Sequence, residues 1–212
     1  MRFADRHHAG ELLGRAVAEL DPTDPVVYAL PRGGVPVGFE VARALDCPLD
    51  ILVVRKIGVP FQPELAMGAI GEGNVRVRND SVMVAAGIDD DVFTQAAERE
   101  RRLLETRVAF YRADVERVDP GGKTALVVDD GLATGSTALA AVTVLASQNP
   151  AELWLAVPVA PASPFDEIEK LVDRLVIVEQ PRHFAAVGSW YRDFGQTSDD
   201  EVRDLLVESR LA

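Results

Sequence analysis

A series of short apolar runs, whose residues do not alternate with polar ones, constrains this chain most. The runs cover residues 26–30, 49–54, 125–128, 153–157 and 175–178. A strand with one wet face alternates apolar and polar residues. An unbroken apolar run implies cover on both faces, as in a parallel sheet. Helical stretches lie between several of the runs, at 35–45, 136–147 and 165–172. Parallel neighbours need a crossover connection, and a helix is its usual form. The expected fold class is therefore α/β, with a mainly parallel twisted sheet flanked by helices.

The flanking segments read differently. Ala9, Leu12, Leu13, Ala16, Val17 and Leu20 recur at helical spacing, and Asp5 is a candidate N-cap. The Asp-Pro-Thr-Asp-Pro string at 21–25 then stops that helix. Residues 65–78 hold Glu-Gly-Asn between two apolar-rich segments, the pattern of a hairpin. Residues 89–118 read as one long charged helix with Leu103, Leu104, Val108, Tyr111, Val115 and Val118 as its apolar stripe. The last segment, from about 180, is rich in aromatics (Phe184, Trp190, Tyr191, Phe194) and ends in a helix near 199–211.

Composition narrows the function classes. With 22 basic and 34 acidic residues among 212, the formal net charge is −12. Such a chain repels a polyanion at long range, so no nucleic-acid partner is expected. The longest apolar stretch, residues 153–162, contains two prolines and falls far short of a bilayer span, so no membrane partner is expected. No secretory signal is expected from the N-terminal residues. The lone Cys47 suits a reducing, cytoplasmic setting and excludes a disulfide framework or a cysteine-based zinc site.

The string that carries chemistry is Ala125-Leu-Val-Val-Asp-Asp-Gly-Leu-Ala-Thr-Gly-Ser-Thr137. An apolar strand ends in two adjacent carboxylates, and a small-residue turn then opens a helix. Backbone N–H groups and hydroxyls at a helix N-terminus form an anion cradle. Gly135 permits the backbone geometry that such a cradle needs. The carboxylates Asp129 and Asp130 are acceptors for sugar hydroxyls and outer partners for magnesium. A phosphate and a diol side by side suggest a ribose 5-phosphate. The chain has neither a G-x-x-x-x-G-K-[ST] loop nor a G-x-G-x-x-G turn.

On these residues the chain resembles the type I phosphoribosyltransferases, among them small bacterial proteins of undefined acceptor. VVDDGLATGST resembles the family's signature for phosphoribosyl pyrophosphate (PRPP). Leu30-Pro-Arg-Gly-Gly34 resembles the pyrophosphate loop, and Leu52-Val-Val-Arg-Lys-Ile-Gly58 the lead into a mobile catalytic loop, expected at 57–74. The resemblance implies a transferase, a pentosyltransferase of nucleotide metabolism. It would move ribose 5-phosphate from PRPP to a nucleobase-like nitrogen with release of pyrophosphate, using Mg2+. Asp129 and Asp130 would be the catalytic pair, holding the ribose hydroxyls and, through water, the metal. Ala133, Thr134, Gly135, Ser136 and Thr137 would hold the 5-phosphate. Arg32, Gly33 and Gly34 would hold pyrophosphate, with a cis peptide between Pro31 and Arg32, and Arg55 and Lys56 would add positive charge.

The resemblance further implies one domain over 1–212 with a core at about 22–180. A small hood from 180–212, together with 1–21, would cover a small aromatic acceptor, and the chain would form a homodimer. Phe184, Trp190 and Tyr191 are the acceptor-binding candidates. Ala133 stands where 6-oxopurine enzymes often carry an Asp, so a base, if one is needed, must come from elsewhere, with Glu64 and Glu72 as candidates. The acceptor stays open. So do two rival readings: a PRPP- or nucleotide-binding regulator without turnover, and an enzyme using ribose 5-phosphate for another reaction.

Overall fold

The computed structural model describes residues 2–162 and 165–211. Five strands form the central sheet: β1 (Pro25–Ala29), β2 (Leu49–Ile51), β6 (Thr124–Val128), β7 (Glu152–Val159) and β8 (Arg174–Glu179). Their order is β2-β1-β6-β7-β8, and every neighbouring pair is parallel. Three further strands, β3 (Val54–Val59), β4 (Gln62–Gly71) and β5 (Arg76–Arg78), form a separate antiparallel sheet.

The apolar runs have the cause inferred for them. Successive side chains of a strand point to opposite faces, and both faces here are packed. Val27, Ala29, Leu126, Val128, Trp154 and Ala156 enter one apolar cluster, which includes residues of α1 (Arg6–Ala18), α2 (Gly34–Leu45) and α7 (Asp199–Glu208). Val26, Tyr28, Ala125, Val127, Leu153 and Leu155 enter another, with α5 (Ser136–Ala146). Each fully buried Val or Leu of this kind stabilises the fold by about 1.5–3 kcal/mol.

Helix α1 starts three residues earlier than the apolar pattern alone suggests, because Asp5 caps it by accepting from the His8 amide at 2.8 Å. This places Arg6 at the first helical position. Glycine brings α1 close to α2: a Cβ at Gly10 would lie 2.7 Å from the Val37 carbonyl oxygen. Helix α7 carries a capping box between Ser198 and Glu201.

Several boundaries differ from expectation. The run at 49–54 is split: β2 ends at Ile51, and Val54 opens β3 in the other sheet. Residues 57–74, expected as a mobile loop, are largely strand. β3 and β4 pair as a ribbon with a turn at Pro60 and Phe61, then β4 turns into β5 through Glu72, Gly73 and Asn74 as the hairpin pattern indicated. Ribbon residues 60–65 are exposed, so no apolar face marked them as strand. A short helix, α3 (Asp80–Ala86), follows β5. The long helix α4 (Asp90–Tyr111) stops seven residues before the end of its apolar stripe, and Val115 packs into the core from irregular chain. The helix at 165–172 shortens to α6 (Asp166–Glu169).

A buried ionic clamp joins the two sheets. Asp50 of β2 is 0% exposed and accepts from Arg112 just beyond α4, while Arg112 Nε donates to Glu72 Oε2 at 2.9 Å. Arg112 Nη2 also donates to the Ile51 carbonyl at 3.0 Å, and the Val118 amide donates to Asp50 Oδ2 at 2.8 Å. Buried charges persist where partners satisfy them in this way. Against α5, the close approach of Gly71 to Val144 seats β4: a Cβ there would lie 2.5 Å from Val144 Cγ1.

Candidate active site

Of the polar residues singled out in the sequence, Arg32, Asp129, Asp130 and those of the 134–137 turn gather at the carboxyl ends of β1 and β6, where open α/β sheets generally take ligands. β6 ends at Val128, so Asp129 and Asp130 stand at its mouth, half-buried. The Asp130 amide donates to Asp129 Oδ1 at 2.8 Å. Burial pushes the Asp129 carboxyl well above the usual carboxylate range, and the Asp130 charge adds to this. Burial raises the Asp130 carboxyl too, while the Arg6 guanidinium pulls the other way.

The loop after β1 meets this pair directly. Its Pro31–Arg32 peptide is cis, as the resemblance implied. A Cβ on Gly33 would lie 2.1 Å from Asp130 Oδ2, and one on Gly34 would lie 2.9 Å from Asp129 Cα. Only glycine fits at Gly33 without displacing the carboxylate. Arg32 is partly exposed and points its Nη1 to Asp199 Oδ2 at 4.0 Å, beside the start of α7.

Residues 131–135 lead from the acidic pair to α5. Gly135 is the N-cap at φ +74°, a left-handed conformation that favours glycine, and no side chain caps the helix. The first amides of any helix lack intrahelical partners; in α5 the Ser136 amide donates to Thr134 Oγ1 at 3.5 Å, and the hydroxyls of Thr134 and Ser136 are 3.3 Å apart. Ala133, Thr134 and Thr137 are exposed. A helix start of this kind is a candidate anion site. A cleft of about 1140 Å³ adjoins it, walled by Ala66, Gly68 and Asn79 on one side and by Leu139, Phe165 and Ile168 on the other.

The two cations on β3 separate. Arg55 donates to Glu100 of α4 at 2.6 Å, whereas Lys56 pairs with Glu64 at 3.2 Å on the rim of the cleft. Glu72 is tied up in the Arg112 clamp and is thereby removed as a base candidate. Glu64 remains exposed.

The tail aromatics collect around Phe3. Tyr191 is buried between Phe3 and Phe194, at ring-centroid distances of 5.3 and 5.0 Å, and its hydroxyl donates to the Asp130 carbonyl oxygen at 2.6 Å. Burial holds that hydroxyl far above its ordinary pKa, so it stays a donor. Tyr191 thus holds the backbone of the acidic pair. Phe184 and Trp190 are half-buried against the same small cluster.

One site residue escaped the sequence reading. Arg6 Nε and Nη2 reach Asp130 Oδ2 at 2.9 and 2.8 Å. The contact spans 124 positions, and no local pattern signals it. The capped start of α1 was the only available hint that residue 6 has a fixed direction.

Fold and site together define an α/β protein whose polar centre lies at the strand ends, between a glycine loop and a helix N-terminus. Comparison with known proteins refines this. The family model described as "Phosphoribosyl transferase domain" matches residues 5–191. Two Mycobacterium tuberculosis proteins, from strains CDC 1551 and H37Rv, are 46% identical over 204 residues, covering 96% of this chain and 46% of theirs. Their names carry the phosphoribosyl transferase label with its activity left open. The chain therefore spans about half the length of the curated relatives it matches. A crystal structure of TT1426 from Thermus thermophilus superposes with a TM-score of 0.93 at 40% identity, covering 98% of this chain and 99% of that one. The chain belongs to the phosphoribosyl transferase family.

Proposed function

We propose that the chain transfers ribose 5-phosphate from PRPP to a nitrogen acceptor and releases pyrophosphate. The observation that carries this reading is the contact between Gly33 and Asp130, which puts a candidate pyrophosphate loop against a candidate diol-binding carboxylate, a few residues from an uncapped helix N-terminus. A phosphorylated pentose with a leaving group at C1 needs these three subsites side by side.

Asp129 and Asp130 accept from the ribose hydroxyls. The hydroxyls of Thr134, Ser136 and Thr137 and the amides at the start of α5 take the 5-phosphate. Arg32 and the amides of Gly33 and Gly34 take the pyrophosphate. Displacement at C1 passes through an oxocarbenium-like state, as in glycoside cleavage. The protein's part is to align the acceptor with C1, neutralise departing charge and exclude water. The donor set fits Mg2+: adjacent carboxylates offer hard oxygens, and magnesium commonly binds through one or two carboxylates plus substrate phosphates. Asp129 and Asp130 would hold it, and it would supply charge neutralisation for the pyrophosphate.

The N-terminal segment and the tail serve as the hood. Phe184 and Trp190 are the acceptor candidates there, and Tyr191 acts on the acidic pair. Trp190→Ala tests this division: a larger loss in acceptor KM than in PRPP KM supports it, and equal losses contradict it. The overall reading is tested by incubating the protein with PRPP, Mg2+ and a panel of nucleobases and metabolite extract, then measuring pyrophosphate. Acceptor-dependent pyrophosphate is the expected result. PRPP binding without turnover on any acceptor would favour a regulator, and absence of PRPP binding would end both readings.

A further inference from the structure

Arg6 lies in none of the strings that carry the family resemblance, yet its side chain is tightly built into the centre. Its Nε and Nη2 both reach Asp130 Oδ2, at 2.9 and 2.8 Å. Its Nη1 donates to the Gly195 carbonyl at 2.6 Å. Its guanidinium carbon lies 4.0 Å from the centroid of the Phe194 ring, in cation–π contact. On its other side is the glycine loop: a Cβ at Gly33 would lie 3.2 Å from Arg6 Nε. The guanidinium is thus fixed on three sides, and only 12% of the side chain is exposed. A planar fork held like this orients the carboxylate it grips. It saturates Oδ2 on the loop side, so Oδ1 is the oxygen left to meet a ligand.

We infer that Arg6, clamped by Phe194 and Gly195, is a positioning residue that turns Asp130 Oδ1 toward a ribose hydroxyl and so gives the site its selectivity for a pentose bearing its diol. The inference rests on the ribose reading of the acidic pair. It also explains why the tail folds back onto the centre, since residues 191–195 hold Arg6 and, through the Tyr191 hydroxyl, the Asp130 carbonyl. N-terminal helix, tail and β6 thereby meet at one carboxylate.

The test is calorimetric titration of the full chain with ribose 5-phosphate, 2-deoxyribose 5-phosphate and 3-deoxyribose 5-phosphate. Wild-type protein is expected to disfavour at least one deoxy sugar by about tenfold or more, the usual size for losing a hydrogen bond to a charged group. In Arg6→Met that preference should fall to about twofold or less while inorganic phosphate binds as before, and Arg6→Lys should restore part of it. A purely structural role would lower the melting temperature and leave the preference intact. Should Arg6→Met not fold, Phe194→Leu removes the ring beneath the guanidinium and should weaken the same preference. Undiminished selectivity in a folded Arg6→Met, or in Phe194→Leu if Arg6→Met fails to fold, overturns the inference alone. A wild-type protein that binds ribose and deoxyribose phosphates equally overturns the ribose reading and the inference with it.

Discussion

At the scale of single residues, two features decide whether the centre can work: the missing Cβ of Gly33 and the carboxylate of Asp130. A methyl group at Gly33 would fall 2.1 Å from Asp130 Oδ2, an oxygen that Arg6 holds in place and that cannot easily retreat. Gly33→Ala is therefore expected to weaken PRPP binding by about tenfold or more and to cost about 1–3 kcal/mol of stability, the usual range for overpacking. Wild-type affinity in that variant would show that the loop does not border the ligand. Asp130→Asn should likewise impair PRPP binding, because a neutral amide accepts a hydroxyl less strongly and repels Arg6 donors through its own N–H groups. An unchanged PRPP titration would contradict the diol assignment. Asp129 adds a pH signature. Its carboxyl is raised in the fold, so its ionisation opposes folding: the stabilising contribution is present below the ordinary carboxylate range and is lost as pH rises through the folded value. Asp129→Asn removes that loss. Its melting temperature relative to wild type should therefore climb as pH goes from about 4 to 7, the span above an ordinary aspartate pKa. A difference that stays flat or shrinks would contradict the raised carboxyl.

At the scale of elements, the antiparallel sheet is held to the parallel one by Arg112 between Asp50 and Glu72. Arg112→Met strands two buried carboxylates, and breaking such a pair typically costs about 3–5 kcal/mol. Urea unfolding should show that loss, and a change below about 1 kcal/mol, the scale of a surface pair, would mean the clamp is wet and weak. What the sequence revealed of these elements follows from burial. The runs at 26–30 and 125–128 were legible as parallel strands because packing on both faces left no polar positions in them. The β3–β4 ribbon was hidden for the opposite reason: residues 60–65 are exposed, and Phe61 at its turn is 71% exposed. The hairpin into β5 was legible from its Glu-Gly-Asn turn. The end of α4 was misread because Val115 and Val118 keep a helical spacing after the helix has stopped. Val115 still packs into the core there, while the Val118 amide and carbonyl are taken by Asp50 and Tyr28.

At the scale of the whole molecule, the acidic pair and the helix start beyond it were readable because one local string, residues 125–137, builds a strand end, a turn and a helix start in succession. Arg6, Tyr191 and Phe194 were not readable as partners of that pair, because only the closed chain brings residues 3–6 and 190–195 together, through the Phe3–Tyr191 bridge. A chain of net charge −12 must concentrate its few site cations to hold a polyphosphate. Arg32 lies in the glycine loop itself, while the Arg6 charge is spent on Asp130. The central claim is that one ligand spans three adjoining subsites, and competition calorimetry tests it most directly. In Mg2+, PRPP should bind more tightly than either ribose 5-phosphate or pyrophosphate, and each fragment should displace it competitively. PRPP binding no tighter than its fragments, or fragments that fail to compete with it, would contradict that claim.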